Sequence, residues 1–166
     1  MRSMTKRFLV SVAALTLCIV LSGCIAKRPT ISKISSSLSD NREHYEILVE
    51  YLKELQYDYA SISSDDGTVF YDFSDHEIES KLVRNSIHSL WKNGCEFICK
   101  DATNGNNTIW FQLWHQTKGG LDCGLACTID GTGNPNAVFQ TECEQIDTGW
   151  YYYYSDYEEY RTERHN

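Results

Sequence analysis

Proline and methionine are scarce in this 166-residue chain, two of each. With a hydrophobic share of 42% and an aromatic share of 13%, that scarcity excludes a proline-rich spacer or a disordered chain. A long apolar run is also missing. The best stretch, Phe8 to Val20, is short for a dedicated transmembrane helix. Basic charge is sparse: from Cys24 onward, twelve lysines and arginines face all 23 acidic residues, a formal charge of −11. Phosphate backbones repel such a chain, which argues against nucleic-acid binding. Phosphate-cradling glycine loops, G-x-S-x-G and H-E-x-x-H are absent, so no catalytic motif announces itself.

What is present begins at the N-terminus. MRSMTKR is basic, FLVSVAALTLCIV is apolar, and LSGC is small-residue rich, which is the three-part pattern of an export signal. Leu21-Ser22-Gly23-Cys24 resembles the bacterial lipobox at every position. That resemblance covers residues 1–24. It implies a signal peptide over 1–23, lipid transfer to the Cys24 thiol, cleavage before Cys24 and acylation of the new amine. The implied location is the cell membrane, lipid-anchored and facing outside the cytoplasm, with the membrane itself as first partner. A thiolate is the strongest side-chain nucleophile for such a transfer, and two or three acyl chains hold a protein stably, at about 0.8 kcal/mol per buried methylene. The following IAKRPTISKISSSLSD is polar and serine-rich, and reads as a flexible tether over 24–39.

Residues 40–166 read as one domain. Asp40 with Glu43 opens a helix over 41–56, carrying Tyr45, Leu48, Leu52 and Leu55 on one stripe. YASIS and TVFYDF flank Asp65-Asp66-Gly67 as a hairpin. Pairing Asp65 with Thr68 sets Ile62 opposite Tyr71 and Ala60 opposite Phe73. Ser74-Asp75-His76-Glu77 has capping-box spacing and predicts a second helix that Asn93-Gly94 closes. Strands follow at 95–101, 108–115, 123–130, 137–146 and 149–154. The fold class is α+β: two layers, a mostly antiparallel sheet with two helices on one face.

Five cysteines remain beyond the leader and lipid site: Cys95, Cys99, Cys123, Cys127 and Cys143. C-x-x-x-C occurs twice, but on strands its thiols stand about 13 Å apart at ~3.3 Å per residue and cannot share a metal. Turning the chain at GTGNP sets Cys123 opposite Cys143, where a cross-strand disulfide fits an exported protein. The competing reading, thiols filling the core as small apolar groups, is the simpler one. Asp130-Gly131-Thr132-Gly133-Asn134 has alternating oxygen ligands like a calcium loop but no closing glutamate, and a hairpin turn accounts for it. His115 is the one histidine tempting as a base for a cysteine. No cofactor or metal is called for.

Aromatic residues supply the candidate surface. In TIWFQLW, Trp110 and Trp114 fall on one strand face while Ile109, Phe111 and Leu113 fall on the other. In GWYYYYSDYEEYR, Trp150, Tyr152 and Tyr154 alternate with Tyr151 and Tyr153, with Tyr157 beyond. An aromatic and acidic surface of Trp110, Trp114, Tyr151, Tyr153 and Tyr157 suits recognition of a peptide, a glycan or an envelope protein. Two alternatives stand beside it. One is an exported enzyme working on envelope polymers through carboxylates such as Asp122 or Glu142. The other is a purely structural envelope lipoprotein.

Overall fold

A computed structural model of the chain describes residues 27–117, 120–135 and 140–158. The expected leader and the expected lipid site at Cys24 lie outside the described residues. Two helices, α1 (Ile31–Glu54) and α2 (Lys81–Lys92), pack on one face of an eight-stranded antiparallel sheet, an α+β fold. The strands are β1 (Tyr59–Ile62), β2 (Thr68–Tyr71), β3 (Ser74–Glu77), β4 (Phe97–Asp101), β5 (Thr108–Gln116), β6 (Leu121–Thr128), β7 (Gln140–Asp147) and β8 (Trp150–Asp156). Their order across the sheet is β3-β2-β1-β4-β5-β6-β8-β7.

Helix α1 starts at Ile31 and not at 41, where the Asp40 signal predicts it, so the tether reading of 24–39 is corrected from Ile31 on. Thr30 caps it through its hydroxyl, which accepts from the Lys33 amide. Ile34 and Leu38 are buried, and they extend the stripe formed by Tyr45, Leu48, Val49 and Leu52. The serines between them mask the stripe in the sequence. A break at Asn41 (φ −127°, ψ 18°) explains why a helix start seems to fall there. Its side-chain amide donates to the Ser37 carbonyl four residues back, and its Oδ1 accepts from Asn93 after α2. At the other end, the Lys100 ammonium reaches the Leu55 carbonyl at 2.5 Å, a cation at a helix C-terminus.

Two further local expectations change. Ser74–Glu77 is not a capping box but strand β3, paired with β2 from Thr68↔Glu77 to Tyr71↔Ser74. The true cap of α2 is Ser80, whose hydroxyl accepts from the Val83 amide. The first hairpin pairs Ser61 with Phe70, two positions away from the expected register. Asp66 causes the shift, since its carboxylate accepts from the Thr68 amide and hydroxyl and so widens the loop to five residues. A slip of two preserves the faces, and Ile62 and Val69 still point into the core.

The core lies between helices and sheet. Tyr45 sits edge-on to Phe111 (4.9 Å between centroids) and to Trp150 (5.8 Å). Ile62, Ile98, Ile109, Phe111, Leu125 and Tyr152 complete this face from five strands.

Two features decide what the opposite face presents. The first is a bulge in β5: Gln112 pairs with Gly124, and Trp114, not Leu113, pairs with Cys123. Only glycine fits at 124, since a Cβ there would lie 1.9 Å from the Phe111 carbonyl oxygen. The second is the position of β8 between β6 and β7. Strands β6 and β7 therefore run parallel to one another with β8 between them, and GTGNP does not make a direct hairpin.

Candidate functional site

Opposed residues on neighbouring strands share a face, so the register assigns every side chain. Trp110, Ala126 and Tyr151 form one row on the face away from the helices; Gln112, Gly124, Tyr153 and Cys143 form the next; His115, Asp122 and Ser155 form a third. Gly124 leaves the second row low in its middle. A cavity of about 460 Å³ opens there, walled by Phe97, Trp110, Tyr153 and Tyr157 and carrying Asp101, Gln112, Asp122 and Ser155 as polar groups.

Trp110 and Tyr153 meet at 6.3 Å with ring planes 36° apart. Tyr153 is buried, which raises its phenol well above the usual pKa and keeps it protonated. Tyr157 stands at the rim, where its amide donates to the Gly120 carbonyl and its Cβ would crowd any side chain at 120. At the polar end, Asp122 Oδ1 accepts from Gln112 Nε2 (2.8 Å) and from His115 Nδ1 (2.5 Å). A carboxylate only accepts, so His115 carries a proton on Nδ1. At the far end Asp101 is committed locally: Oδ1 accepts from the Thr103 amide and hydroxyl, and Oδ2 from Asn106 Nδ2.

Of the five aromatic residues that the sequence nominates, the fold brings three together here: Trp110, Tyr153 and Tyr157. Trp114 is corrected. The bulge turns it to the helix face, where it joins the core with Ile109 and Phe111, and its indole Nε1 has no acceptor among the described residues. Tyr151 shares the cavity's face but is buried, its hydroxyl donating to the Gly133 carbonyl at 3.1 Å. Phe97, Gln112 and Ser155 escape the sequence reading, although the alternation that picks out Trp110 also picks out Gln112, two residues on.

The cysteine expectation fails for a topological reason. Cys123 lies opposite Tyr154 on the helix face, whereas Cys143 lies opposite Tyr153 on the other face, two strands away. A Cys123–Cys143 disulfide has no geometry here. Cys95, Cys99, Cys123 and Cys127 are buried, and burial pushes each thiol up to about 12, so none is a poised nucleophile. His115 engages Asp122 and not a thiol. The calcium-like loop is a turn: Asp130 accepts from the Thr132 amide, which lowers its pKa. Among the described residues no three or more His, Cys, Asp or Glu side chains converge as a metal site requires, and no helix is long and apolar enough to cross a membrane.

The carboxylates do not form a hydrolytic pair. Asp122 faces the cavity, while Glu142 lies on the helix face bound by Arg28. Asp101 and Asp122 are six register positions apart along β6, roughly 20 Å, well beyond the ~5–9.5 Å of paired glycosidase carboxylates.

The helix face holds one more feature near the start of the described residues. Arg28 lies with its guanidinium 3.7 Å from the centroid of Tyr154, donates through Nε to the Tyr152 hydroxyl at 2.7 Å, and grips Glu142. The chain is therefore fastened to β7 and β8 four residues after Cys24.

No protein-family model matches the chain, and neither a curated protein nor a solved structure is similar to it.

Proposed function

We propose that this chain is a lipid-anchored protein facing outside the cytoplasm, whose domain binds a ligand in the aromatic and acidic cavity on the helix-free face of the sheet. The observation that carries the reading is the cavity itself. Two tyrosines, a tryptophan and a phenylalanine share it with Asp122, Gln112 and Ser155, and strands hold all of them but Tyr157. The anchor rests on the basic, apolar and small segments that end in Cys24. Because Arg28 is fastened to the sheet, the link from lipid to fold spans four residues, about 14 Å at full extension. Arg28 is fastened on the helix face, and the cavity opens on the other.

Two measurements test this. The intact mass of the protein from membranes is expected to lack residues 1–23 and to carry two or three acyl chains on Cys24. An uncleaved leader sinks the anchor. For the cavity, the full chain is labelled with fluorotryptophan and screened against a mixed set of ammonium compounds, sugars and neutral aromatics. Hits are expected to move the Trp110 resonance and to lose at least about tenfold in affinity in Trp110→Ala, as loss of an aromatic anchor costs about 2 kcal/mol. A set without hits, or hits indifferent to Trp110→Ala, ends the binding reading.

A further inference from the structure

The cavity's walls say what charge its occupant carries. Ring faces come from Trp110, Tyr153, Tyr157 and Phe97, and a carboxylate stands at each end, Asp101 and Asp122, the latter bonded to His115. Among the described residues no lysine or arginine lines it. The exported part carries a formal −11, so the surrounding field adds to the local one. An anion meets no lysine or arginine among the described lining residues. A neutral sugar needs several free donors and acceptors, yet Asp101 is spent on Thr103 and Asn106, and Gln112 donates to Asp122. One acceptor is left over: both bonds to Asp122 end on Oδ1, and Oδ2 receives neither.

Ring faces with a negative quadrupole and a carboxylate oxygen with spare capacity fit one chemical class. Resting on the cavity as the binding site, we propose that its occupant is an organic cation, an ammonium or guanidinium group on an apolar body. The apolar body packs between Phe97 and Tyr157. The charged nitrogen lies over Trp110 and Tyr153 and donates to Asp122 Oδ2. Such a group is borne by a free amine or by a lysine or arginine side chain of a peptide.

The test uses the full chain in detergent and three probes of one shape: benzylamine, benzyltrimethylammonium and benzyl alcohol, read by the Trp110 fluorine resonance. Both cations are expected to bind about tenfold or more tighter than the alcohol, the size of a desolvated cation–π contact. Asp122→Asn, which keeps a partner for Gln112 and His115, is expected to cost benzylamine about tenfold and the alcohol less than twofold. Glu144→Gln removes the same charge from the exposed helix face and is expected to change neither by more than twofold. Equal binding of alcohol and cations overturns the cation assignment while leaving the cavity a binding site. Equal losses in Asp122→Asn and Glu144→Gln overturn the role of Asp122 in favour of net charge. If no probe binds while sugars or neutral aromatics move Trp110, the class is wrong and the cavity still binds; if nothing moves Trp110, both readings fall. The wild-type comparison decides the class even if a variant fails to fold.

Discussion

The two faces of the central strands are built from alternate residues of the same segments, and they solve opposite problems. On β5, Ile109 and Phe111 are fully buried under α1, while Trp110 and Gln112, which alternate with them, are half-buried in the cavity. On β8, Trp150 and Tyr152 pack toward Tyr45 and Arg28, while Tyr153 lines the cavity wall. The helix face satisfies most of its polar atoms internally, as with Lys100 on the end of α1, Trp114 Nε1 excepted. The cavity face leaves ring surfaces and one carboxylate oxygen without such closure. The packed core lies on one side of a layer one residue thick, and the proposed binding cavity on the other.

That division can be broken most forcefully by truncating one ring on each side. Phe111→Ala is expected to cost about 3–5 kcal/mol in urea unfolding, the range for a buried aromatic. Trp110→Ala, its neighbour in sequence, is expected to cost about 1 kcal/mol and to fall mainly on ligand affinity. Similar costs for the two would erase the distinction between the faces. Next comes Gly124→Ala, which strikes both faces at once: its methyl meets the Phe111 carbonyl from the cavity side and forces the bulge to move. A loss of about 3 kcal/mol is expected, with the Trp110 and Trp114 fluorine signals shifting together. A neutral Gly124→Ala would show that the bulge is not fixed by that contact.

The smallest effect has the opposite sign and lies far from the cavity, at the tip of the β2–β3 hairpin. Asp72 and Phe73 both adopt positive φ, 49° and 59°, in a two-residue turn that favours Asn-Gly, and Phe73 is 95% exposed. Phe73→Gly is expected to raise stability by about 1 kcal/mol, since the strain it relieves outweighs the gain in unfolded-chain freedom. A destabilised Phe73→Gly would mean that the exposed ring contributes something the turn alone does not explain.

How far the sequence discloses this arrangement differs between the faces. The helix-face rows follow from period alone: Ile109 with Phe111, Trp150 with Tyr152, and the second half of α1 all read correctly. Ile34 and Leu38 are missed because five serines give their segment the composition of a linker, although the apolar spacing is helical. The cavity face depends on non-local facts. Nothing in GTGNP says that β8 will enter between β6 and β7, so Cys123 and Cys143 seem to face each other. Nothing in TIWFQLW marks Leu113 as the residue without a partner, so Trp114 seems to accompany Trp110. Ser74–Glu77 fails differently, because capping-box spacing occurs by chance where the chain has a stronger option in pairing with β2.

The bulge gives β5 something like a reading frame. Up to Gln112 the even-numbered residues face the cavity, and beyond Leu113 the odd-numbered ones do. His115 thus reaches Asp122 because one residue has been inserted ahead of it, and Trp114 is withdrawn for the same reason. Part of what the cavity offers a ligand is therefore set by how many residues precede it on the strand, and not only by which residues they are.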